Sequence, residues 1–531
     1  MNKKQLLITA FSSLLLFSLL AEAQFVRLAG ANFLPVPTPQ PAFIIRSDGS
    51  VDPPTASIQR TGEIYTFTDN IIGYTIAVER DNVILDGSGY TLQGTGSSTG
   101  VFIRNRNSIT VRNMEIRDFS KGIRLLTDVG MGISGNHILS GNNLINNGLG
   151  ISISYSSNNV LRNNQLNYNV GSIYVTHSVL SASIADFVND IDESNTVNGK
   201  PVIYWVNQHD KVVPQDAGHV GLVNCTNITV QNQNLIGNRR GIMLAYTDSS
   251  VVTLSTIQDN ADQGIYMYRS SNNSITKNII TKNGDGIVLS HSSINNIFGN
   301  TIIDNQENGI YLRYSSNNTI FENSIAQNFG GVHVYERCAN NTIIKNSLLD
   351  NSEYAVSLDW AYNNNFISTN FIAGNGNGIF VKSSSNNRII GNKIQNSIGW
   401  AIRLEDKGQR DNMIYHNYFI NNNSGDGLQV SIPIWWDGET HHGNPNIWDD
   451  GEKGNYWSDY FTRYTNASEV GITGIGDTPF YINPNNIDNY PIVKENMIPE
   501  FPSWTPLLIM LLAVMFIAVI YKRKLNKGSM M

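Results

Sequence analysis

The sequence predicts an all-β fold, a right-handed single-stranded parallel β-helix of about fifteen coils with about 22 to 23 residues each. A Gly-Ile-x-Leu motif recurs along the chain, and two series of asparagines repeat with the same period. Each period thus contains three regularly spaced features, the motif and two asparagines. They predict three short strands and three turns per coil, with each coil stacked on the next. The motif starts with Gly or Ala at 241, 264, 286, 309, 331, 355, 378 and 401, and the asparagine series are Asn273, Asn296, Asn318, Asn341, Asn364, Asn387 and Asn412, then Asn278, Asn300, Asn323, Asn346, Asn370, Asn392 and Asn417.

The residues within each motif alternate as a half-buried strand requires. Ile265 and Met267 are separated by one residue, as are Ile310 and Leu312, which is the period of a strand with one apolar face. Gly and Asn tolerate the left-handed backbone of sharp corners, and stacked Asn side chains can hydrogen-bond along the solenoid axis. Leucine-rich repeats have a similar period but need a leucine framework, whereas Ile and Val dominate here.

Both ends of the chain carry signals for export and membrane attachment. A basic start, an apolar run at 6–20 and an Ala-Glu-Ala tripeptide predict a cleaved signal peptide. The apolar run at 507–521 and the basic tripeptide after it predict a single-pass helix with a cytoplasmic C-terminus. The predicted organisation is a signal peptide at 1–23, a lead-in and cap at 24–80, first coils at 81–175, an insertion or distorted coils at 176–218, main coils at 219–432, a Trp/Asp/Gly-rich cap at 433–496, and a membrane anchor or sorting tail at 499–524.

The segment Ile498-Pro499-Glu500-Phe501-Pro502 resembles the sorting tails of archaeal surface proteins, which an archaeosortase-like enzyme cleaves. Removal of the tail and its retention as an anchor both remain open. Either outcome places the protein on the outer face of the cytoplasmic membrane or at the cell surface. The formal net charge of -7 and the absence of a long basic run before the C-terminus exclude nucleic acid as an expected partner.

Two cysteines and seven glycosylation sequons complete the inventory. Cys225 and Cys338 each lie seven residues after a motif glycine but about five coils apart, roughly 24 Å, so both are predicted to be unpaired. The sequons predict glycan acceptors on an exported protein at Asn224, Asn227, Asn272, Asn317, Asn340, Asn422 and Asn466.

Three segments resemble the NosD family of exported β-helix proteins, and an archaeal branch of it in particular. They are Asp81-Asn82-Val83-Ile84-Leu85-Asp86-Gly87, then Asn198-Gly199-Lys200-Pro201-Val202-Ile203-Tyr204-Trp205, and the closing segments Gly454-Asn455-Tyr456-Trp457-Ser458-Asp459 and Asp488-Asn489-Tyr490-Pro491. The resemblance implies a β-helix over about residues 45–495. It also implies either copper supply, as in the founding members, or the saccharide binding and hydrolysis of other proteins with this repeat.

One face of the helix differs chemically from the other two. On the motif strand, the positions two, four and five residues after the glycine should point outward or lie at the corner, where they carry aromatic and charged side chains. Aromatic rings stack on sugar rings, and the coil spacing of about 4.8 Å suits an extended polymer, so this strip predicts polysaccharide binding. Cross-strand stabilisation alone is the alternative. The candidate binding residues are Tyr266, Tyr268, Arg269, His291, Tyr311, Arg313, Tyr314, His333, Tyr335, Glu336, Asp359, Trp360, Lys382, Arg403 and Glu405.

An enzymatic alternative uses the same strip. Asp359 and Glu405 should lie two coils and about 10 Å apart, close to the carboxyl spacing of inverting glycosidases. Lys382 between them would favour the ionised form of both, which opposes a general-acid role. A lyase or epimerase would instead use Arg313, Lys382 or Arg403 to neutralise a uronate, with His333 or Tyr335 for proton transfer.

A metal alternative concerns the segment from Trp435 to Asp450. Its acidic residues and the pair His441 and His442 could bind copper or calcium, although the spacing matches no familiar zinc or calcium motif. No cofactor is firmly implied. The aromatic and Gly-rich composition of the segment predicts a cap over the last coil, because a solenoid end exposes apolar core and strand edge.

Overall fold

The computed structural model describes residues 41–495 except 129–133, 178–182, 406–409, 424–426, 433, 437–440 and 444, with the backbone alone for 434–436 and 441–443. The chain winds into an all-β right-handed parallel solenoid of about 15 turns, as the repeats predict. Across the described residues no helix has the length and hydrophobicity needed to cross a membrane. The predicted signal peptide, apolar C-terminal run and sorting motif lie outside the described residues.

The solenoid consists of an N-terminal section, residues 41–197, and a C-terminal section, which begins at residue 200. Each section has a wide sheet of long strands and two narrow sheets. The wide-sheet strands are Ala42–Ile45, Thr75–Val78, Thr99–Arg104, Lys121–Leu126, Leu149–Ser154 and Gly171–Thr176, then Lys200–Val206, His219–Val223, Arg240–Ala245, Gln263–Tyr268, Asp285–Ser290, Asn308–Arg313, Gly330–Tyr335, Tyr354–Asp359, Asn377–Lys382, Ile402–Glu405 and Val430–Ser431.

The narrow sheets contain shorter strands, most of them of three residues. The second sheet contains Ile58–Thr61, Ile64–Phe67, Ile84–Asp86, Thr110–Arg112, Ile138–Ser140, Val160–Arg162 and Asp190–Ile191, then His209–Val212, Thr226–Gln231, Val251–Thr253, Ser274–Thr276, Asn296–Phe298, Thr319–Phe321, Thr342–Ile344, Phe366–Ser368, Arg388–Ile390 and Met413–Tyr415. The third contains Ile71–Ile72, Thr91–Gln93, Glu115–Arg117, Asn143–Ile145, Gln165–Asn167 and Thr196–Val197, then Asn234–Ile236, Thr256–Gln258, Ile279–Thr281, Thr301–Ile303, Ser324–Ala326, Ser347–Leu349, Phe371–Ala373, Lys393–Gln395, Tyr418–Ile420 and Tyr456–Trp457.

Buried asparagines stack at the corners between sheets. In each stack the side-chain oxygen accepts from the backbone N–H of the equivalent residue one coil earlier, and the amide donates to a backbone carbonyl in that same preceding coil, as Asn323 does for Asn300 and Ile297. Two members of the predicted series are wrong by one residue: Asn295 and Asn365 occupy the stack, not Asn296 and Asn364, because a coil of unequal length shifts the corner. Sequence analysis missed a third stack, Asn260, Asn283, Asn305, Asn328, Asn351 and Asn375.

The two sections join through a chain reversal, where an insertion or distorted coils were predicted. Asn198 and Gly199 both have positive φ and form a two-residue turn between antiparallel strands Thr196–Val197 and Lys200–Val206. The second of these strands is apolar on both faces. Val202 and Tyr204 belong to the core of the N-terminal section, whereas the alternate residue Ile203 belongs to the core of the C-terminal section. One strand is therefore shared by two cores.

The last coil is covered by an aromatic layer. Trp448 and Trp457 are almost fully buried, and Trp457 stacks on Phe480 with ring centroids 3.9 Å apart. The carboxylate of Asp488 accepts hydrogen bonds from the Trp457 indole and the Asn455 backbone at 2.9 and 2.7 Å. A short helix, Tyr460–Arg463, and the hairpins Ile434–Trp436 with His441–Gly443 and Phe480–Asn483 with Asn486–Asp488 complete this region. A 3-10 turn, Ile184–Phe187, lies at the junction.

Candidate functional site

The first part of the predicted strip is covered by the N-terminal section. Tyr266 and Tyr268 point outward from the wide sheet as predicted, but they are only 8 % and 2 % exposed. Both side chains belong to the core cluster of the N-terminal section, and the Arg240 guanidinium lies 3.7 Å from the centre of the Tyr266 ring. The expectation that these two tyrosines face solvent is therefore wrong, because the outer face of the C-terminal section closes the end of the N-terminal one.

Arg269 and His291 lie at the corner that follows the wide sheet. The Arg269 guanidinium is 5.8 Å from the Tyr246 ring and 5.7 Å from the Tyr268 ring, so it borders the junction. His291 stacks on Tyr314 with ring centroids 4.6 Å apart. Burial lowers the pKa of His291, and the neighbouring Arg269 and Arg313 add to this. These residues mark the boundary at which the wide sheet becomes accessible.

The open strip is the outer face of the five wide-sheet strands from Asn308–Arg313 to Ile402–Glu405. Rings follow one another along it across four coils. The centroid of Tyr311 lies 5.3 Å from that of His333, His333 lies 5.5 Å from Tyr354, and Tyr354 lies 6.4 Å from Phe380. The Arg403 guanidinium extends the row at 5.5 Å from Phe380. The result is a continuous row of rings parallel to the solenoid axis.

Tyr354 joins this row although sequence analysis did not select it. It precedes the motif residue by one position, and Gly330 on the neighbouring strand has no side chain to obstruct its ring. The Tyr354 hydroxyl donates to the Asn308 side-chain oxygen at 3.1 Å, and the Asn308 backbone donates to Asp285 at 3.0 Å. Burial raises the pKa of Asp285 to about 6. The glycine one coil earlier is the signal that could have revealed Tyr354.

His333 lies at the centre of the row, among Tyr311, Tyr335 and Tyr354. Burial lowers its pKa to about 4, so the imidazole is neutral at pH 7. Its Nε2 is buried and has no hydrogen-bond partner among the described residues, and the same holds for the hydroxyl of Ser357, the residue paired with it on the next strand. Burial also raises the pKa of Tyr311 and Tyr354, which keeps both phenols protonated.

Charged side chains border the row of rings. The Arg313 guanidinium donates to Glu336 at 2.9 Å, and the Tyr314 hydroxyl donates to the other oxygen of that carboxylate. Further along, strand register places Lys382 between Asp359 and Glu405, as the sequence predicts. Trp360, at 58 % exposure, is the most accessible ring at this edge.

Arg403 forms an ion pair with Glu405. An inverting glycosidase needs one carboxyl group free to protonate the leaving group, so the ion pair of Glu405 does not favour this mechanism.

The described residues do not fit a copper centre. Among them, no three His, Cys, Asp or Glu side chains come together in a way that could hold a metal ion. Cys225 and Cys338 are free and buried, and burial raises the pKa of Cys338 to about 12, which disfavours the thiolate that metals bind. The side chains of His441 and His442, the predicted metal ligands, lie outside the described residues.

The neighbouring acidic residues of the predicted cation segment have structural contacts. Asp449 accepts from the backbone and side chain of Asn489, both at 3.0 Å, and Asp450 accepts from two backbone N–H groups and contacts His416 at 3.0 Å. Of the sequon residues, Asn422 is buried and its amide donates to the Ile394 carbonyl, so it is not accessible to a glycan.

The comparison with protein families gives a match over most of the solenoid. The model of the family described as periplasmic copper-binding protein (NosD) matches residues 50–195, 187–360 and 353–461. The chain belongs to the NosD family. The junction segment Asn198–Trp205, which carries part of the sequence resemblance, lies inside the matched region. No curated protein matches this NosD chain.

Several solved structures are similar to this NosD protein at low identity. The catalytic domain of Agl-KA is 15 % identical, over 63 % of this chain and 62 % of that chain, with a TM-score of 0.36. The A-module of mannuronan C-5 epimerase AlgE4 from Azotobacter vinelandii is 16 % identical, over 70 % and 91 %, with a TM-score of 0.29. PfbA, a surface adhesin of Streptococcus pneumoniae, is 12 % identical, over 63 % and 85 %, with a TM-score of 0.31.

Proposed function

We propose that this NosD protein is exported, is held at the cell surface by its C-terminal segment, and binds an extended polysaccharide along the open strip. The row of rings from Tyr311 to Phe380 carries the proposal. Its rings follow one another from coil to coil with centroids 5.3–6.4 Å apart, and the half-buried rings of Tyr311, His333 and Phe380 can present their faces to a polymer that follows the axis, with buried Tyr354 packed between them. Arg313, Lys382 and Arg403 can donate hydrogen bonds to hydroxyl or carboxylate groups beside the rings.

Removing accessible rings tests the binding proposal. Tyr335 is half-buried and Trp360 is exposed, so alanine at both positions should leave the solenoid folded. The matched control replaces Phe298 and Phe321, which stack at 4.5 Å on the second sheet of the same section. Affinity electrophoresis against uronate, glucan and amino-sugar polymers should show retardation of the wild type and the control, but not of the Tyr335→Ala/Trp360→Ala variant. No retardation of the wild type by any polymer would reject the proposal.

His333 supports a second candidate, an epimerase or lyase activity on a uronate polymer. Its neutral imidazole and unpartnered Nε2 can accept the proton from the carbon next to a carboxylate. Return of a proton to the opposite face gives epimerisation. Alternatively, the glycosidic C–O bond at the carbon β to the carboxylate breaks, a C=C double bond forms, and the leaving oxygen takes up a proton from a phenol or from water. Arg313, Lys382 or Arg403 would neutralise the carboxylate.

Proton NMR of uronate polymers incubated with the enzyme in D₂O tests the second candidate. Deuterium at the carbon next to the carboxylate, or a new vinyl signal, is expected with the wild type and with His291→Ala. Neither signal is expected with His333→Ala. If the wild type produces neither, the strip binds without catalysis.

A further inference from the structure

A second surface, outside the open strip, collects positive charge where the two sections meet. The cationic cluster consists of Lys121 and Arg124 on the wide sheet of the N-terminal section, and of Arg239 and Arg240 on the C-terminal section. The two pairs belong to different cores and are more than a hundred residues apart in sequence, so no local motif reveals the cluster.

Close packing brings the two pairs onto one face. Gly171, on the last wide-sheet strand of the N-terminal section, lies so near the other section that a Cβ atom there would be 3.0 Å from the Cβ of Arg239. The Tyr174 ring on the same strand has the Arg239 and Arg240 guanidinium groups at 5.1 and 4.7 Å. The strand pairing runs from Lys121 through Leu149 to Gly171 and from Arg124 through Ser152 to Tyr174, so Arg239 and Arg240 lie at the end of the two columns that contain Lys121 and Arg124.

Two strands, Leu149–Ser154 and Gly171–Thr176, lie between the two pairs, and the first of them is covered. Leu149 and Ser152 occupy the outward positions paired with Lys121 and Arg124, and they are only 4 % and 3 % exposed. Lys121, Arg124 and Arg239 are half-buried and Arg240 is buried, so electrostatic interactions among them are stronger than in water.

Carboxylates compensate the cluster only in part. Arg239 pairs with Asp262 at 3.3 Å, whereas among the described residues Lys121, Arg124 and Arg240 form no ion pair. Arg240 donates instead to neutral acceptors, the Gln263 side-chain oxygen at 2.9 Å, the Val175 carbonyl at 3.2 Å and the Tyr174 hydroxyl at 3.3 Å. The buried Nε of Arg124 has no hydrogen-bond partner in the described part of the chain. The undescribed segments 129–133 and 178–182 contain no Asp or Glu in the sequence.

The excess of positive charge in the cationic cluster is unfavourable when no anion is bound. Burial, followed by repulsion from Arg124 and Arg239, lowers the pKa of Lys121. Buried cations are ordinarily paired, because an unpaired charge loses hydration without compensation. An anion placed among these side chains would supply the missing partner through charge-assisted hydrogen bonds.

We infer that the cationic cluster is a binding site for an oxyanion, the carboxylate or sulfate group of an acidic saccharide. Two rings border these cations and could pack against the sugar that carries the group: Phe102, 5.4 Å from the Arg124 guanidinium, and Tyr174, which lies between Arg124 and Arg240. The site is distinct from the open strip, so it does not depend on the function proposed there.

Isothermal titration of the full chain at constant ionic strength tests this site. The probes are sodium sulfate, oligogalacturonate and the neutral maltoheptaose, and the variants are Lys121→Met/Arg124→Gln and the control Lys345→Met, which removes an exposed charge from another corner. We expect binding of oligogalacturonate but not of maltoheptaose, with affinity lowered roughly tenfold or more in the double variant. We expect the control to bind as the wild type does.

Thermal unfolding without ligand provides an independent readout. Because the double variant removes uncompensated repulsion, its midpoint in chloride should equal or exceed that of the wild type, and oligogalacturonate should raise only the wild-type midpoint. Equal affinity in the wild type and the double variant would overturn the site. An equal loss in Lys345→Met would show a diffuse charge effect and would also overturn it. Binding of sulfate without oligogalacturonate would overturn the saccharide assignment.

Discussion

Tyr204 and Trp205 are adjacent in one strand, yet their side chains pack into the cores of two different solenoid sections. The strand reverses direction at the Asn198–Gly199 turn, and the solenoid interior lies on the opposite face of the sheet after the turn. Reversal of both the strand and the interior face preserves the right-handed winding. In this arrangement the outer face of the C-terminal section also covers the end of the N-terminal core.

Truncation of Tyr204 should unfold the N-terminal section selectively. Its ring is almost fully buried, and its hydroxyl donates to the Phe187 carbonyl at 2.6 Å. Tyr204→Ala should cost about 3–5 kcal/mol, whereas Tyr204→Phe should cost about 1 kcal/mol for the hydrogen bond. Hydrogen exchange should show lost protection in residues 160–197, with little change in 308–405. The control Leu348→Ala, in the C-terminal core, should give the reverse pattern; similar exchange in both variants would mean that the two cores unfold together.

The coil architecture could be predicted from sequence because it depends on local period. Inward Ile and Val every second residue, with Asn at each corner, define strands and turns without knowledge of distant contacts. The sequence period did not predict which asparagine enters the stack at Asn295 and Asn365. At both corners two asparagines are adjacent, either could occupy the corner, and only the length of the neighbouring coil decides between them.

The junction and the cationic cluster could not be predicted from the same pattern. Tyr268 and Tyr335 occupy equivalent outward positions in equivalent motifs, and only the N-terminal section, which packs over the first, distinguishes them. One feature of the sequence did indicate the junction. The strand Lys200–Val206 is apolar at successive positions, which is typical of a strand buried on both faces.

The asparagine stacks should tolerate serine better than alanine. Asn323 accepts from the Asn300 backbone at 2.9 Å and donates to the Ile297 carbonyl at 2.9 Å. Alanine would leave both groups buried and unpaired, at about 1–3 kcal/mol each. Serine keeps an acceptor, as Ser250 does for the Ile228 backbone at 3.0 Å. In urea unfolding we expect Asn323→Ala to be less stable than Asn323→Ser, and both to be less stable than the wild type. Equal stability of the two variants would show that the acceptor contributes nothing.

The C-terminal cap should lose stability as the pH rises towards neutrality. Burial raises the pKa of Asp488 to about 7, despite three N–H donors that favour the carboxylate. Between about pH 4 and pH 7 the folded state holds a proton that the unfolded state has released, so the free energy of unfolding falls across this range, by up to about 4 kcal/mol. Below about pH 4 the contribution is fully present, and above pH 7 no further loss follows.

Asp488→Asn separates this carboxyl from other titrating groups. The amide cannot ionise, so the variant should be less stable than the wild type at pH 5, because an NH₂ group replaces one acceptor, but its stability should change less between pH 5 and pH 8. Tryptophan fluorescence in urea reports the cap directly through buried Trp448 and Trp457. Parallel pH profiles in the two proteins would assign the pH dependence to other groups.

Gly330→Ala should displace the Tyr354 ring from the row of rings in the open strip. A Cβ atom at Gly330 would lie 2.5 Å from the Tyr354 ring and 2.6 Å from the Asn308 side-chain oxygen, so the ring must move and its hydrogen bond to Asn308 must break. The expected cost is about 1–3 kcal/mol, which leaves the solenoid folded by circular dichroism. Because Tyr354 connects His333 to Phe380, polysaccharide affinity should fall along with the order of the ring row.

Tyr354→Phe is the matched control for this substitution. It keeps the ring in the row and removes only the hydroxyl, so polymer binding should remain while stability falls by about 1 kcal/mol. Loss of stability in Gly330→Ala with unchanged affinity would mean that the polymer does not contact the ring row. Loss of affinity in Gly330→Ala but not in Tyr354→Phe would locate the contact at the ring face, since the two variants share the broken hydrogen bond and differ in ring position.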